Sequence, residues 1–277
     1  RGAESSEACG AGRGEPLAVI GMGSWITFNV DSVFAMDRRA EVLAAFFAHG
    51  GGLVDSSPMY GRAEAVIGHG LRRLDRPQGL FAATKVWTWG RDSGIRQLRE
   101  SAALWGLERF DLLQVHNLVD WEVHLETLAE WKAAGRVRYV GVTTSHGRRH
   151  AELETLMQTL PLDFVQLTYN VVDRAAEARL LPLAAERGIA VIANRPFQGG
   201  ALFRRVRGSP LPGWAAEFDC SSWAAFFLKF IVGHPAVTCA IPATSQVAHM
   251  HENMGAGYGR LPDPEERARM ARLAEEL

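Results

Sequence analysis

Short apolar, β-branched runs that end at polar residues alternate along this chain with amphipathic stretches. That is the pattern of parallel strands joined by crossover helices. The strand candidates are Val19 to Trp25, Leu53 to Ser57, Leu80 to Trp87, Phe110 to Asn117, Tyr139 to Ser145, Phe164 to Asn170, Ala190 to Phe197 and Thr238 to Thr244. Up to the seventh they recur at roughly thirty residues, the length of one βαβ unit. The longer gap before the eighth opens with an Arg- and Pro-rich stretch from Phe203 to Trp214, expected as an excursion loop. Among the helices, His124 to Arg136 carries Leu125, Leu128, Trp131 and Ala134 at three-residue steps, with Gly135 where a C-cap is common. Gly50 and Gly188 close two others, and a final helix is expected from Glu265 to Leu277, after Pro264.

Eight strand-helix pairs predict a closed (β/α)8 TIM barrel as a single domain over residues 1–277, with 1–15 as a flexible leader. A doubly wound sheet would use fewer strands and place a phosphate loop after the first. Gly21-Met22-Gly23-Ser24-Trp25-Ile26 has two glycines but Ile26 where the third is needed, so a Rossmann site is not expected. His49-Gly50-Gly51-Gly52 looks like an esterase oxyanion run, but its place between a helix and a strand makes it a C-cap. No GxSxG elbow accompanies it.

Composition narrows the classes of partner. A net charge of −1 provides no long-range field for nucleic acid or an anionic membrane. No apolar run approaches the roughly 18 residues of a membrane span, and the first fifteen residues lack the apolar core of a signal peptide. A soluble protein is expected, with no nucleic-acid or membrane partner. Cys9, Cys220 and Cys239 are odd in number and widely spaced, which argues against a disulfide framework, and Cys239 reads as core. Pairs such as His146 and His150, or His249 and His251, have no third ligand nearby, so no metal site is expected. The start at Arg1 rather than Met implies that a leader, tag or fragment boundary has been removed.

Residues at the carboxyl ends of barrel strands face the active site. Strand two ends at Asp55 and runs into Ser57-Pro58-Met59-Tyr60-Gly61, strand three ends near Lys85, and strand four ends at His116. Such a set can deliver a proton to a carbonyl oxygen while a hydride reaches its carbon. A free tyrosine ionises near pH 10, and a neighbouring ammonium, here Lys85, is expected to lower that by ~1–3 units. Asp55 would hold Lys85 charged, and His116 would hydrogen-bond the substrate oxygen. Asp55 and Lys85 alone would read as a structural ion pair, and His116 alone as a satisfied core histidine; the four together at strand ends point to chemistry.

Several stretches resemble the aldo-keto reductases, and in that family's order: Gly21 to Trp25, Val54 to Glu64, Ala83 to Trp87, Leu113 to Asn117, Gly141 to Thr143, and Ile241 to Ser245 with Glu252-Asn253. The resemblance runs from about Leu17 to Arg260 and implies an NAD(P)H-dependent enzyme that reduces aldehydes or ketones, with Asp55, Tyr60, Lys85 and His116 as the catalytic tetrad. It implies a cofactor extended across the barrel mouth, the amide end at Thr143, Thr144 and Gln166 and the adenosine end along Thr244, Ser245, His249, Glu252 and Asn253. Gly23, Ser24, Trp25, Asp55, Asn194, Arg195, Pro196, Phe197 and Ile241 complete the implied cofactor contacts. NADPH is favoured over NADH, with Arg204, Arg205 and Arg207 as further candidates for a phosphate.

Three departures from the family pattern stand out. Asn194 occupies the place where many members stack an aromatic ring, Thr144 stands where Asn is common, and Ala63 replaces a capping Ser or Asn, a loss of about 1 kcal/mol. Trp25, Trp87, Trp89 and Trp121 follow strand ends and predict an aromatic substrate rim suited to an apolar or planar small-molecule carbonyl compound, whereas Trp105 and Trp131 read as packing. A monomer is expected, as for most of the family. Ser-Pro-Met-Tyr-Gly-Arg, Val-His-Asn-Leu-Val-Asp-Trp and Asn-Arg-Pro-Phe resemble a bacterial branch that sometimes carries a twin-arginine export leader. The expected location is therefore the cytoplasm, with the periplasm as the alternative. The competing functions are a non-catalytic cofactor-binding sensor or regulatory subunit on the same barrel, and a hydrolase or lyase using Asp55 and His116.

Overall fold

The computed structural model describes residues 7–9 and 16–277. A two-stranded antiparallel hairpin, β1 (Glu7–Cys9) with β2 (Pro16–Ala18), precedes the main sheet. Most of the expected flexible leader, 1–15, thus lies outside the described residues, as does the side chain of Cys9. Then come eight parallel strands in sequence order: β3 (Met22–Gly23), β4 (Leu53–Asp55), β5 (Phe81–Val86), β6 (Phe110–Val115), β7 (Val137–Thr143), β8 (Phe164–Thr168), β9 (Ala190–Asn194) and β10 (Cys239–Ala240). A parallel bridge between Ile20 and Ala240 brings the first strand beside the last, and Gly21 N donates to Ala240 O at 2.9 Å. The expected barrel is present; seven strands lie inside their anticipated ranges, and β7 begins two residues earlier than expected, at Val137 rather than Tyr139.

Helices α1 (Val33–Ala48), α2 (Ala63–Arg73), α3 (Arg91–Trp105), α4 (Trp121–Ala133), α5 (His150–Thr159), α6 (Leu180–Arg187) and α8 (Trp223–Val232) are the crossovers. Their buried faces and the outer faces of the strands form one continuous apolar layer. α4 begins three residues earlier than the spacing predicted, and ends before Gly135 (φ +70°). The stretch expected as a loop from Phe203 to Trp214 is partly helical: a short α7 (Ala201–Arg205) enters it, and a 3-10 helix over Gly213–Phe218 leaves it. Leu202, Val206, Ala215 and Phe218 pack into the core, and that burial overrides the loop-like composition. After β10 come α9 (Val247–Gly255) and α10 (Pro264–Glu276), the latter opened by a reciprocal capping box between Asp263 and Glu266.

The inside of the barrel is a second apolar cluster, and it sets the height of the site. Because side chains alternate every two residues, the inward row of each strand is read in steps of two. Leu53, Phe81, Leu112, Tyr139, Phe164, Ala190 and Cys239 pack together low in the barrel, with Leu17 of the hairpin beside them. Two or four residues further along the same rows stand Asp55, Lys85, Gln114, Thr143, Gln166 and Asn194. The apolar plug fills the lower barrel, so the polar layer can sit only at the carboxyl end.

Candidate active site

Lys85 is fully enclosed, and its three ammonium protons have three acceptors: Asp55 Oδ2 at 2.5 Å, the Ser56 carbonyl at 2.8 Å and the Tyr60 hydroxyl at 3.5 Å. The other oxygen of Asp55 accepts from Gln114 Nε2 at 3.1 Å and Gln166 Nε2 at 3.0 Å. Burial opposes charge on Lys85, but Asp55 and Tyr60 more than offset it, so its pKa lies above the usual lysine value. It is a fixed cation.

Tyr60 ends a single 3-10 turn, Pro58–Tyr60, that follows β4; Ser57 caps this turn and proline presets its first residue. The ring lies edge-on to His116, with centroids 5.6 Å apart. The expectation that Lys85 would lower the Tyr60 pKa captures only one of the forces acting. Burial raises it most, Lys85 pulls it down, Asp55 pushes it up again, and the net direction is upward. The reason is geometric: the amine is 3.5 Å away and already neutralised by a carboxylate at 2.5 Å, so the phenol experiences an ion pair rather than a bare cation. Tyr60 keeps its proton until one is drawn from it.

His116 sits where β6 breaks into a 3-10 turn. Its Nδ1 lies 2.7 Å from Ser57 Oγ, and burial together with the Lys85 charge pushes its pKa down to about 2. The ring is neutral. Asn194, the departure at the end of β9, is tied into the wall: its Nδ2 donates to the Thr144 carbonyl at 2.9 Å, and its Oδ1 accepts from Thr168 Oγ1 at 2.6 Å. Thr144 is buried, yet its hydroxyl has no hydrogen-bond partner. Ala63 begins α2 without a side-chain cap, but Asn29 Oδ1 accepts from the backbone N–H of Arg62 at 3.0 Å, a substitute from a distant segment.

A cavity of 410 Å³ opens over these groups, within the range of small-molecule sites. Asp55, Tyr60 and His116 reach it, while Lys85 stands behind them. Gly23, Ser24, Trp25, Thr143, Thr144 and Gln166 also line it, as do Asn194, Arg195, Pro196, Phe197 and Ile241. The segment carrying Thr244, Ser245, His249, Glu252 and Asn253 adjoins the lining through Ala243 but does not itself reach the cavity, and His249 is exposed on α9. Of the four tryptophans expected at the rim, Trp25 alone lines it. Trp87 and Trp89 are exposed after β5, and Trp121 packs at the start of α4 with its indole N–H donating to Glu152. The apolar wall is instead built with Ile26, Met59, Phe197 and Phe203.

Sequence reading missed Ser57, Gln114, Gly199 and Gly200. Gln114 left a signal, a lone amide in the apolar run of β6 and two residues before His116, hence on the same inward row. Ser57 left none beyond its place in the Asp55 to Tyr60 stretch. Arg195 lines the cavity half-buried, with its charge disfavoured by burial and no ion pair among the described residues. Gly199 and Gly200 adopt positive φ, and a Cβ on Gly200 would lie 3.9 Å from the Arg204 guanidinium.

Residues 19–275 match the model of the aldo/keto reductase family. The chain is 28% identical over 240 residues to the NADH-specific methylglyoxal reductase of Escherichia coli, covering 72% of this chain and 69% of that one. It is 25% identical to the aldo-keto reductase str7 of Strobilurus tenacellus, covering 87% and 82%. Its backbone is similar to the crystal structure of an aldo/keto reductase from Klebsiella pneumoniae in complex with NADP and acetate, with a TM-score of 0.82, 22% identity, and coverage of 98% and 96%.

Proposed function

Because the chain belongs to the aldo/keto reductase family, we propose that it is an NAD(P)H-dependent enzyme reducing an aldehyde or ketone to an alcohol, with Tyr60 as the general acid. The observation that carries this reading is the chain of contacts from Asp55 through Lys85 to Tyr60, ending at a phenol that faces the cavity beside a neutral His116. Tyr60 gives its proton to the carbonyl oxygen as charge develops there, and the phenolate that remains is held next to an ammonium that has no other proton to spend. His116 and Tyr60 together grip that oxygen from two sides, which orients the carbon. A bound reduced nicotinamide supplies the hydride.

The residues suit such a cofactor. The buried Thr144 hydroxyl, unpaired in the cavity wall, offers a partner to a carboxamide, and a buried polar group left without one costs about 1–3 kcal/mol. Arg195 would hold phosphate charge from inside the cavity, and the Arg204 guanidinium lies beside Gly200, which lines it. NADPH is proposed on these cations; the Escherichia coli relative is named for NADH and the Klebsiella pneumoniae enzyme was solved with NADP, so a titration with both decides.

The substrate proposed is a small apolar or planar carbonyl compound, since Trp25, Ile26, Met59, Phe197 and Phe203 give the cavity an apolar side. Action as a monomer is proposed, as the resemblance to the family implies. Among the described residues no helix is long and apolar enough to cross a membrane. The proposed place of action is the cytoplasm, where reduced nicotinamide is supplied, and no nucleic acid takes part. Tyr60→Phe is the test: NADPH oxidation with a panel of aldehydes and ketones falls at least about 100-fold, while NADPH still quenches tryptophan fluorescence. Undiminished turnover in that variant refutes the assignment.

A further inference from the structure

We propose that Ser57 is a positioning residue that fixes which ring nitrogen of His116 carries the proton, so that the cavity is always offered an N–H donor. This rests on the reductase reading above and adds a residue to it.

Ser57 is fully buried, and the structure gives its hydroxyl two partners. The backbone N–H of Met59 donates to Oγ at 3.2 Å, which occupies an acceptor position. His116 Nδ1 lies 2.7 Å away on another side. A hydroxyl carries one proton and two lone pairs, and a buried proton without an acceptor is costly. If Nδ1 carried the ring proton, Oγ would accept twice and its own proton would point at nothing. If Ser57 donates instead, both partners are satisfied, Nδ1 is the acceptor, and the single proton of the neutral ring lies on Nε2. The competing state, a doubly protonated ring, is suppressed by burial and by the nearby Lys85 charge. Nδ1 is engaged by Ser57, and His116 lines the cavity that Tyr60 also faces.

The consequence is chemical. A carbonyl oxygen needs donors, and a histidine in the opposite tautomer would present a lone pair to it and repel it. Met59 N and Tyr60 N both bond within the same short turn, to the side chain and the carbonyl of Ser57, so one residue aligns the acid and sets the state of its neighbour.

The experiment uses the full chain with labelled histidine. Long-range proton–nitrogen NMR of His116 shows the Nε2–H tautomer in the native protein and a mixture in Ser57→Ala, with Ser57→Thr restoring the native signature. In parallel, kcat for aldehyde reduction falls about 10- to 100-fold in Ser57→Ala, the scale on which outer partners of working histidines act, while the Kd for NADPH stays within about twofold. In a His116→Gln background the same Ser57→Ala change adds no further loss. An unmixed Nε2–H signal in Ser57→Ala overturns the proposal. So does an equal further loss in the His116→Gln background, because Ser57 would then act through the turn that carries Tyr60. The NMR result stands independently of turnover, so a protein without reductase activity would sink the functional reading and leave the tautomer result to be judged alone. If Ser57→Ala does not fold, Ser57→Cys, with a weaker donor of similar shape, replaces it in both measurements.

Discussion

Lys85 Nζ and Asp55 Oδ2 lie 2.5 Å apart, with side chains 0% and 2% exposed, so neither charge can turn to water if the other is removed. Lys85→Met therefore leaves a carboxylate held by two amides and no cation. A loss of about 3–5 kcal/mol is expected in chemical denaturation. Asp55→Leu combined with Lys85→Met recovers much of that stability, since replacing a buried pair by apolar groups is often neutral, yet leaves turnover abolished. Equal stability of Lys85→Met and the native protein would mean that the pair contributes nothing structural.

His116 supplies a pH signature. The unfolded chain binds a proton at this ring near pH 6.5, whereas the folded one refuses it down to about 2. Protons therefore favour the unfolded state below 6.5, and stability is lost as pH falls below that value, by up to about 1.4 kcal/mol per unit. His116→Gln flattens that part of the curve relative to the native protein. Urea midpoints between pH 7 and pH 4 make the comparison, and parallel curves for the two proteins would disprove the buried neutral ring.

Thr144 carries a hydroxyl that binds nothing within the folded chain. Thr144→Val should leave melting unchanged or raise stability by up to about 1 kcal/mol, because no internal bond is lost. Affinity for NADPH should nevertheless fall about 2- to 10-fold, the worth of one hydrogen bond. Thermal melts and fluorescence titration separate the two effects, and unchanged affinity would remove Thr144 from the cofactor site.

Asn194 stands where the family pattern has an aromatic ring, and its role here is to join β7 to β9 at the rim. Asn194→Leu strips the Thr144 carbonyl of a donor and the Thr168 hydroxyl of its acceptor. A loss of about 1–3 kcal/mol is expected from the melting curve. A neutral result would show that water replaces the amide without cost.

The barrel, and the meeting of Asp55, Tyr60, Lys85 and His116 at its carboxyl end, could be read from residue order, since each depends on local periodicity and on where a polar residue interrupts an apolar run. The chain from Val54 to Glu64 shows this: it carries acid, turn, proline and phenol in one stretch, and the structure keeps that order. The stretch from Phe203 to Trp214, expected as a loop, is helical only at its two ends, where Leu202, Val206, Ala215 and Phe218 are buried in the core; such apolar residues scattered among arginines, prolines and glycines leave no periodic signal. Trp87, Trp89 and Trp121 illustrate the opposite error, for following a strand does not by itself turn a ring toward the cavity.

Period and spacing in the sequence determined which residues lie at the carboxyl ends of the strands, and with them the chemistry available. The balance of forces on those residues was decided by the tertiary structure. Whether Tyr60 is lowered or raised, whether His116 charges, and what faces Ser57 all depend on burial and on contacts between residues 25 to 60 positions apart in the chain. Electrostatic energy depends on distance and on the exclusion of water, and a linear order of residues contains neither.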